Sequence, residues 1–188
     1  IMSSDWSSDV CSSDLCEEEC PLLIEYIDKI IDLRRYMVDE GMVPQSLQKP
    51  LGALEKRGNP YGKMERKRID WTKEKTFASG FPVKIIGKKE KADTLYFVDS
   101  VTSYDDRIQE IARSTARLFS AMGINYGILG AGEKDSGHEV RRFGEEMLFQ
   151  ILRDANTEAI LQCGASRIVT ADPHAYNALK KDYEDLPP

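Results

Sequence analysis

The chain has 188 residues, with 32 Asp and Glu against 26 Lys and Arg, for a formal net charge of −6. That length suits one domain with a short appended module, and 41% hydrophobic with 9% aromatic residues is enough for a buried core, which excludes wholesale disorder. No run of 18 apolar residues and no basic leader before an apolar stretch occurs, so neither a membrane span nor a signal peptide is expected; the acidic balance excludes the basic face of a nucleic-acid binder.

Residues 1–15 carry Ser-Ser-Asp three times and show neither helical nor strand periodicity. The run DWSSDVCSSDL resembles translated sequencing-adapter read-through, so the segment is set aside as an artefact without structure. Setting it aside leaves 29 acidic against 26 basic residues, gives Cys11 no functional weight, and makes the chain a fragment by expectation. From Leu22 to Glu40, apolar side chains at Leu23, Ile27, Ile30, Ile31, Tyr36 and Met37 predict a helix, stopped at Gly41. Residues 42–93 are punctuated by Pro and Gly and read as an irregular linker lying on a surface, with a short helix over Gln45–Arg57. The basic cluster Lys63, Arg66, Lys67 and Arg68 before Trp71 is assigned to that linker rather than to nucleic acid.

From residue 94 the pattern changes. Thr94–Val98 is a compact apolar run and predicts a buried strand. A helix over Tyr104–Met122 follows, with Ile108, Ile111, Ala112, Thr115, Leu118, Phe119 and Met122 inward, closed by Gly123. Tyr126–Leu129 is a second strand. A helix over His138–Arg153 places Val140, Phe143, Met147, Leu148 and Ile151 inward, and Asn156–Gln162 continues it. Arg167–Ala171 is a third strand. Asp172 then fits a helix N-cap with Pro173 at the first helical position, and a last helix runs His174–Tyr183. Alternating strands and helices predict an α/β domain over 94–188: a parallel sheet with flanking helices, its chemistry at the carboxyl ends of the strands.

Several constellations could carry chemistry. Three of the four cysteines (Cys11, Cys16, Cys20, Cys163) lie in the first twenty residues, which suits metal or cluster chemistry in a reducing compartment. Cys16-Glu-Glu-Glu-Cys20-Pro21 has the C-x3-C-P spacing that ends a bacterial ferredoxin motif; the plainer reading is two reduced thiols. The two expected upstream cysteines would fall on Val10 and Ser13, inside the segment set aside. Cys163 before Gly164 reads as a structural thiol. Gly130–Gly137 has G-x-G-x4-G spacing and carries Glu133 and Asp135, so it is a turn rather than a phosphate cradle. Asp135, His138, Asp172 and His174 could converge on a divalent metal, although Asp172 is equally explained as a cap. Glu139 and Glu145 should pair with Arg141, Arg142 and Arg153 on a solvated helix face. Ser100 and Ser136 lack a base partner for nucleophilic work.

Taken together, the motifs resemble the cysteine-rich (CCG-domain) iron–sulfur proteins related to the D-type chain of heterodisulfide reductase and to the iron–sulfur subunit of glycolate oxidase. Cys16–Pro21 resembles the end of the family's ferredoxin module, and Ile30–Tyr36 the helix after it. Gly58-Asn-Pro-Tyr-Gly62 and Asp70-Trp71 resemble its linker, and Tyr96–Val98 with Ser103–Arg107 the opening of its Rossmann-like cysteine-rich domain. Asp135–Gly144 with Leu148–Gln150 resembles the segment that carries Cys-Cys-Gly, and Ile168–Ala175 with Asn177–Lys180 and Tyr183 the segment TTCPHCFNTLKNEY. The resemblance implies residues 16–41 as the remnant of a ferredoxin-type module, with Cys16 and Cys20 as ligands of a four-iron four-sulfur cluster in the intact protein. It also implies partner subunits of a redox complex and a cytoplasmic setting, with membrane association through missing segments or partner subunits as the alternative. Where the family has cluster cysteines this chain has Ser100, Asp135, Ser136, Asp172 and Ala175, so its α/β domain is expected to bind no cluster. The implied function is electron transfer with the α/β domain as scaffold, the fragment itself not being catalytic. The alternative is a non-redox assembly or ligand-binding module with the metal at Asp135, His138, Asp172 and His174.

Overall fold

The computed structural model describes residues 19–22, 24–87 and 90–186. Cys11 and Cys16 lie outside the described residues. Helix α1 spans Ile27–Asp39 and α2 spans Gln45–Arg57, the latter over its expected range. A 3-10 helix over Glu65–Lys73 and a short α3, Lys75–Gly80, lead to β1, Lys84–Ile85. Strand β2 is Thr94–Phe97, followed by α4, Ser100–Tyr104, and α5, Gln109–Ala121. After β3, Tyr126–Ile128, come α6, His138–Phe143, and α7, Glu146–Cys163. Strand β4 is Arg167–Thr170 and α8 is Pro173–Lys181.

Among the described residues, four strands form one sheet in the order β1-β3-β2-β4, with every pairing parallel, so the fold is α/β with helices on both faces and a Rossmann-like architecture. Side chains of a strand alternate between faces. In β2 and the residue after it, Tyr96 and Val98 pack with Trp71, Phe77, Ala112, Ala116, Phe119 and Tyr126 on one face. Leu95 and Phe97 pack on the other with Ile86, Leu129, Ile160, Cys163 and Ala175. Burial on both faces explains why β2 reads as a continuous apolar run rather than an alternating one.

Four expectations need correction. Residues 42–93 do more than connect: Trp71 and Phe77 enter the core, and β1 pairs with β3 through Lys84 opposite Gly127. The helix expected over Tyr104–Met122 begins later, at Gln109, after the separate short helix α4 that ends at Tyr104. Asp105 accepts hydrogen bonds from the backbone N–H of Arg107 and Ile108, a side-chain turn that competes with helix and breaks it. The helix expected over His138–Arg153 breaks at Gly144, whose φ is +103°. A Cβ there would lie 2.6 Å from the carbonyl carbon of Arg34, so the kink lets α1 come close to the α6–α7 corner. Arg34 donates to the Arg142 carbonyl at 2.8 Å and Arg35 pairs with Glu146 at 2.6 Å, fastening α1 there. The predicted inward faces were also too wide: Ile111, Leu118, Met122, Met147 and Ile151 are exposed, and α5 buries the expected Ala112 and Phe119 together with Ala116.

Candidate functional site

The carboxyl ends of β2, β3 and β4 feed the segments from Asp99, from Gly130 and from Asp172, as the sheet topology predicts. The residues there are polar and buried. Glu133 is 1% exposed and Arg68 is 2% exposed, and they form an ion pair at 2.9 Å. Glu133 also accepts from the backbone N–H of Asp99 at 2.8 Å and of Val98 at 3.3 Å. Arg68 donates to the Ser100 hydroxyl at 3.2 Å and to the Gly58 carbonyl at 3.4 Å. Thus the 3-10 helix delivers a guanidinium to the end of β2, and the loop after β3 delivers its carboxylate.

Asp99 adopts φ +60°, a left-handed conformation uncommon for a residue with a Cβ. Its carboxylate compensates by accepting from the N–H of Ser100 at 2.6 Å and of Ser136 at 3.1 Å. Asp135 accepts from Gly137 N–H at 3.0 Å. Asn156 holds the same loop by its backbone, accepting from Lys134 N–H and donating to the Asp135 carbonyl. Tyr183 donates to the Ser136 carbonyl. Burial pushes the carboxyls of Asp99, Asp135 and Glu133 above their usual range, and for Asp99 the neighbouring Asp135 adds to it.

This has a pH consequence. A carboxyl whose pKa is higher in the folded than in the unfolded protein stabilises the fold while protonated. That contribution is whole below the ordinary carboxylate range and is lost as pH rises through the elevated folded value. Asp99→Asn keeps the oxygen that Ser100 and Ser136 need and removes the titration. Urea denaturation between about pH 5 and about pH 9 should therefore show a shallower decline in this variant than in the parent. An unchanged slope would show that Asp99 does not hold the proton.

The five positions expected to replace cluster cysteines are built in this way. Ser100 and Ser136 are fully buried, Asp135 is 7% exposed, and Ala175 is buried in the apolar cluster that contains Cys163. Asp172 caps α8, accepting from the N–H of His174 at 2.8 Å and of Ala175 at 3.1 Å, with Pro173 following as expected. A four-iron cluster takes thiolate ligands. Serine hydroxyl, carboxylate and methyl groups do not supply them, and Cys163 is a single thiol in an apolar setting, so these positions do not fit that group. Cys20 is half-buried before α1; Cys16 lies outside the described residues, so the pair has no geometry to compare.

Of the expected metal set, His138 and His174 come together, with ring centroids 4.8 Å apart. Asp135 and Asp172 are engaged with backbone N–H groups instead, and Glu139 takes their place by contacting His174. This corrects the surface pairing expected of Glu139. Arg141 pairs with Asp182, and Arg153 with Asp154. From sequence, Arg68 was assigned to a surface linker, and Asn156 and Tyr183 were given no part in the site. Their partners lie 65, 21 and 47 residues away along the chain, and no local spacing marks them.

No protein-family model matches the chain, and no solved structure matches it significantly. Curated relatives do. The chain is 41% identical over 183 residues to "Probable iron-sulfur-binding oxidoreductase FadF" of Bacillus subtilis, covering 96% of this chain and 26% of the relative. It is 32% identical over 185 residues to a "Probable membrane-anchored ferredoxin" of Chromohalobacter salexigens, covering 97% of the chain and 26% of that protein. It is 27% identical over 176 residues to the D-type chain of the dihydromethanophenazine:CoB–CoM heterodisulfide reductase of Methanosarcina mazei, covering 92% of the chain and 40% of the relative. The chain therefore spans about a quarter to two fifths of the length of these relatives.

Proposed function

Because the chain is related to iron–sulfur oxidoreductases that include FadF and the Methanosarcina heterodisulfide reductase, we propose that it is part of an electron-transfer subunit of a redox complex, and that its α/β domain is a scaffold without a cluster. The scaffold reading is carried by one observation: the strand ends that would present thiolates are filled by the buried Arg68–Glu133 pair and its neighbours Ser100, Asp99 and Asp135. An ion pair so enclosed serves to fix a backbone, here that of the β2 end and the β3 loop. In this reading, Cys16 and Cys20 are ligands of a four-iron cluster of the intact protein, and other subunits of the complex supply and accept the electrons. The setting is cytoplasmic and reducing. No helix among the described residues is long and apolar enough to cross a membrane; attachment would come from other segments or subunits, as the name of the Chromohalobacter relative suggests for that protein.

Anaerobic reconstitution with iron and sulfide tests both halves. The 188-residue chain should stay without sulfur-to-iron charge-transfer absorbance and without a paramagnetic signal on reduction. In the longer protein that contains this segment, Cys20→Ser should remove one cluster's signal. A stoichiometric cluster in the short chain would overturn the scaffold. An unchanged cluster content in the long Cys20→Ser protein would overturn the role given to Cys20.

A further inference from the structure

We infer that His138, Glu139 and His174 form a binding site for a divalent metal ion of the zinc type. His138 and Glu139 open α6 directly after Gly137, which has φ +75° and turns the chain out of the buried loop. There a Cβ would meet Phe149 at 2.8 Å, so the turn is fixed by packing as well as by its torsion. His174 is the second residue of α8, whose start is held by the Asp172 cap. Two rigid helix beginnings thus bring one donor atom from each residue within 4.8 Å of the others. Moderate rotation of the exposed Glu139 and His174 side chains would close that spacing on an ion at ordinary metal–nitrogen and metal–oxygen distances.

The second observation is an unsatisfied nitrogen. His138 is only 3% exposed, yet its Nδ1 is buried without a hydrogen-bond partner. Such a group costs free energy unless something engages it. Its Nε2 lies 3.1 Å from the side-chain amide nitrogen of Asn177. An amide can present its oxygen there equally well. Turned that way, Asn177 would accept Nε2–H and leave the Nδ1 lone pair for the ion, the usual second contact of a ligating histidine. Two imidazoles and one carboxylate suit zinc and its transition-metal neighbours. Three protein donors leave one position for water or an outside ligand. The facing charges are mixed: Arg142 opposes a cation at His138, whereas Asp182 and Glu139 favour one.

The donors are nitrogen and oxygen, so the site is separable from cluster binding by cysteine. The chelator-stripped chain should take up one Zn2+ in competition with a chromophoric chelator. Its Co2+ form should show visible absorbance without sulfur-to-metal charge transfer. His174→Ala and Glu139→Gln alter exposed side chains and should keep the circular dichroism of the parent; each should weaken binding by at least about 10-fold. Replacing all four cysteines by serine should leave affinity unchanged. Absence of stoichiometric binding, binding indifferent to His174→Ala, or binding lost with the cysteines would each overturn the assignment.

Discussion

Arg68→Met should destabilise the protein by about 3–5 kcal/mol, read as a drop in the urea midpoint at constant slope. The guanidinium is enclosed with Glu133 and touches Ser100 and the Gly58 carbonyl. Around it stand three buried carboxyl groups, of Glu133, Asp99 and Asp135. Removing this guanidinium takes away the cation that Glu133 pairs with, although Glu133 still accepts from Val98 and Asp99. Desolvating an unpaired carboxylate is what makes the single substitution severe. Combining it with Glu133→Gln should recover part of the loss, because glutamine retains an acceptor for those two N–H groups and carries no charge. If Arg68→Met changes stability by less than about 1 kcal/mol, the pair is not held in the dry environment described.

Trp71→Ala should cost about 3–5 kcal/mol and lower the thermal midpoint accordingly. The indole has no exposed surface and joins the 3-10 helix to the sheet, with ring centroids 5.8 Å from Phe77 and 6.5 Å from Tyr96. Alanine would leave a cavity under β2 that these rigid rings cannot collapse into. Trp71→Phe should lose much less, since it retains most of the ring volume and removes an indole N–H that is buried without a partner. Equal losses for the two variants would show that volume is not what the position supplies.

The same two residues mark where sequence reading stops. Strand β2 was legible because both of its faces are covered, which makes a local apolar run. The start of α8 was legible because Asp172 and Pro173 satisfy a helix terminus within three residues. Trp71 reads as part of a surface linker because the glycines and prolines around it signal turns, whereas its burial depends on a sheet formed later in the chain. Gly144 breaks a helix for a reason that lies in α1, more than a hundred residues earlier. The exposed Met147 and Ile151 fit the helical period as well as the buried Leu148 and Leu152 do, and periodicity does not say how wide the covered stripe is. At the site, His138 and His174 were legible by residue type. Asp135 and Asp172 were misplaced because nearby backbone N–H groups meet their needs first, and Glu139 was missed because it looked like an ordinary surface acid.

The close seat of α1 against Gly144 sets where the N-terminal segment meets the α/β domain. Cys20 is seven residues ahead of α1, and α1 is fastened by Arg34 and Arg35 to the corner between α6 and α7. A larger residue at position 144 would collide with the Arg34 backbone and unseat that joint, freeing the segment ahead of α1 to shift against the sheet.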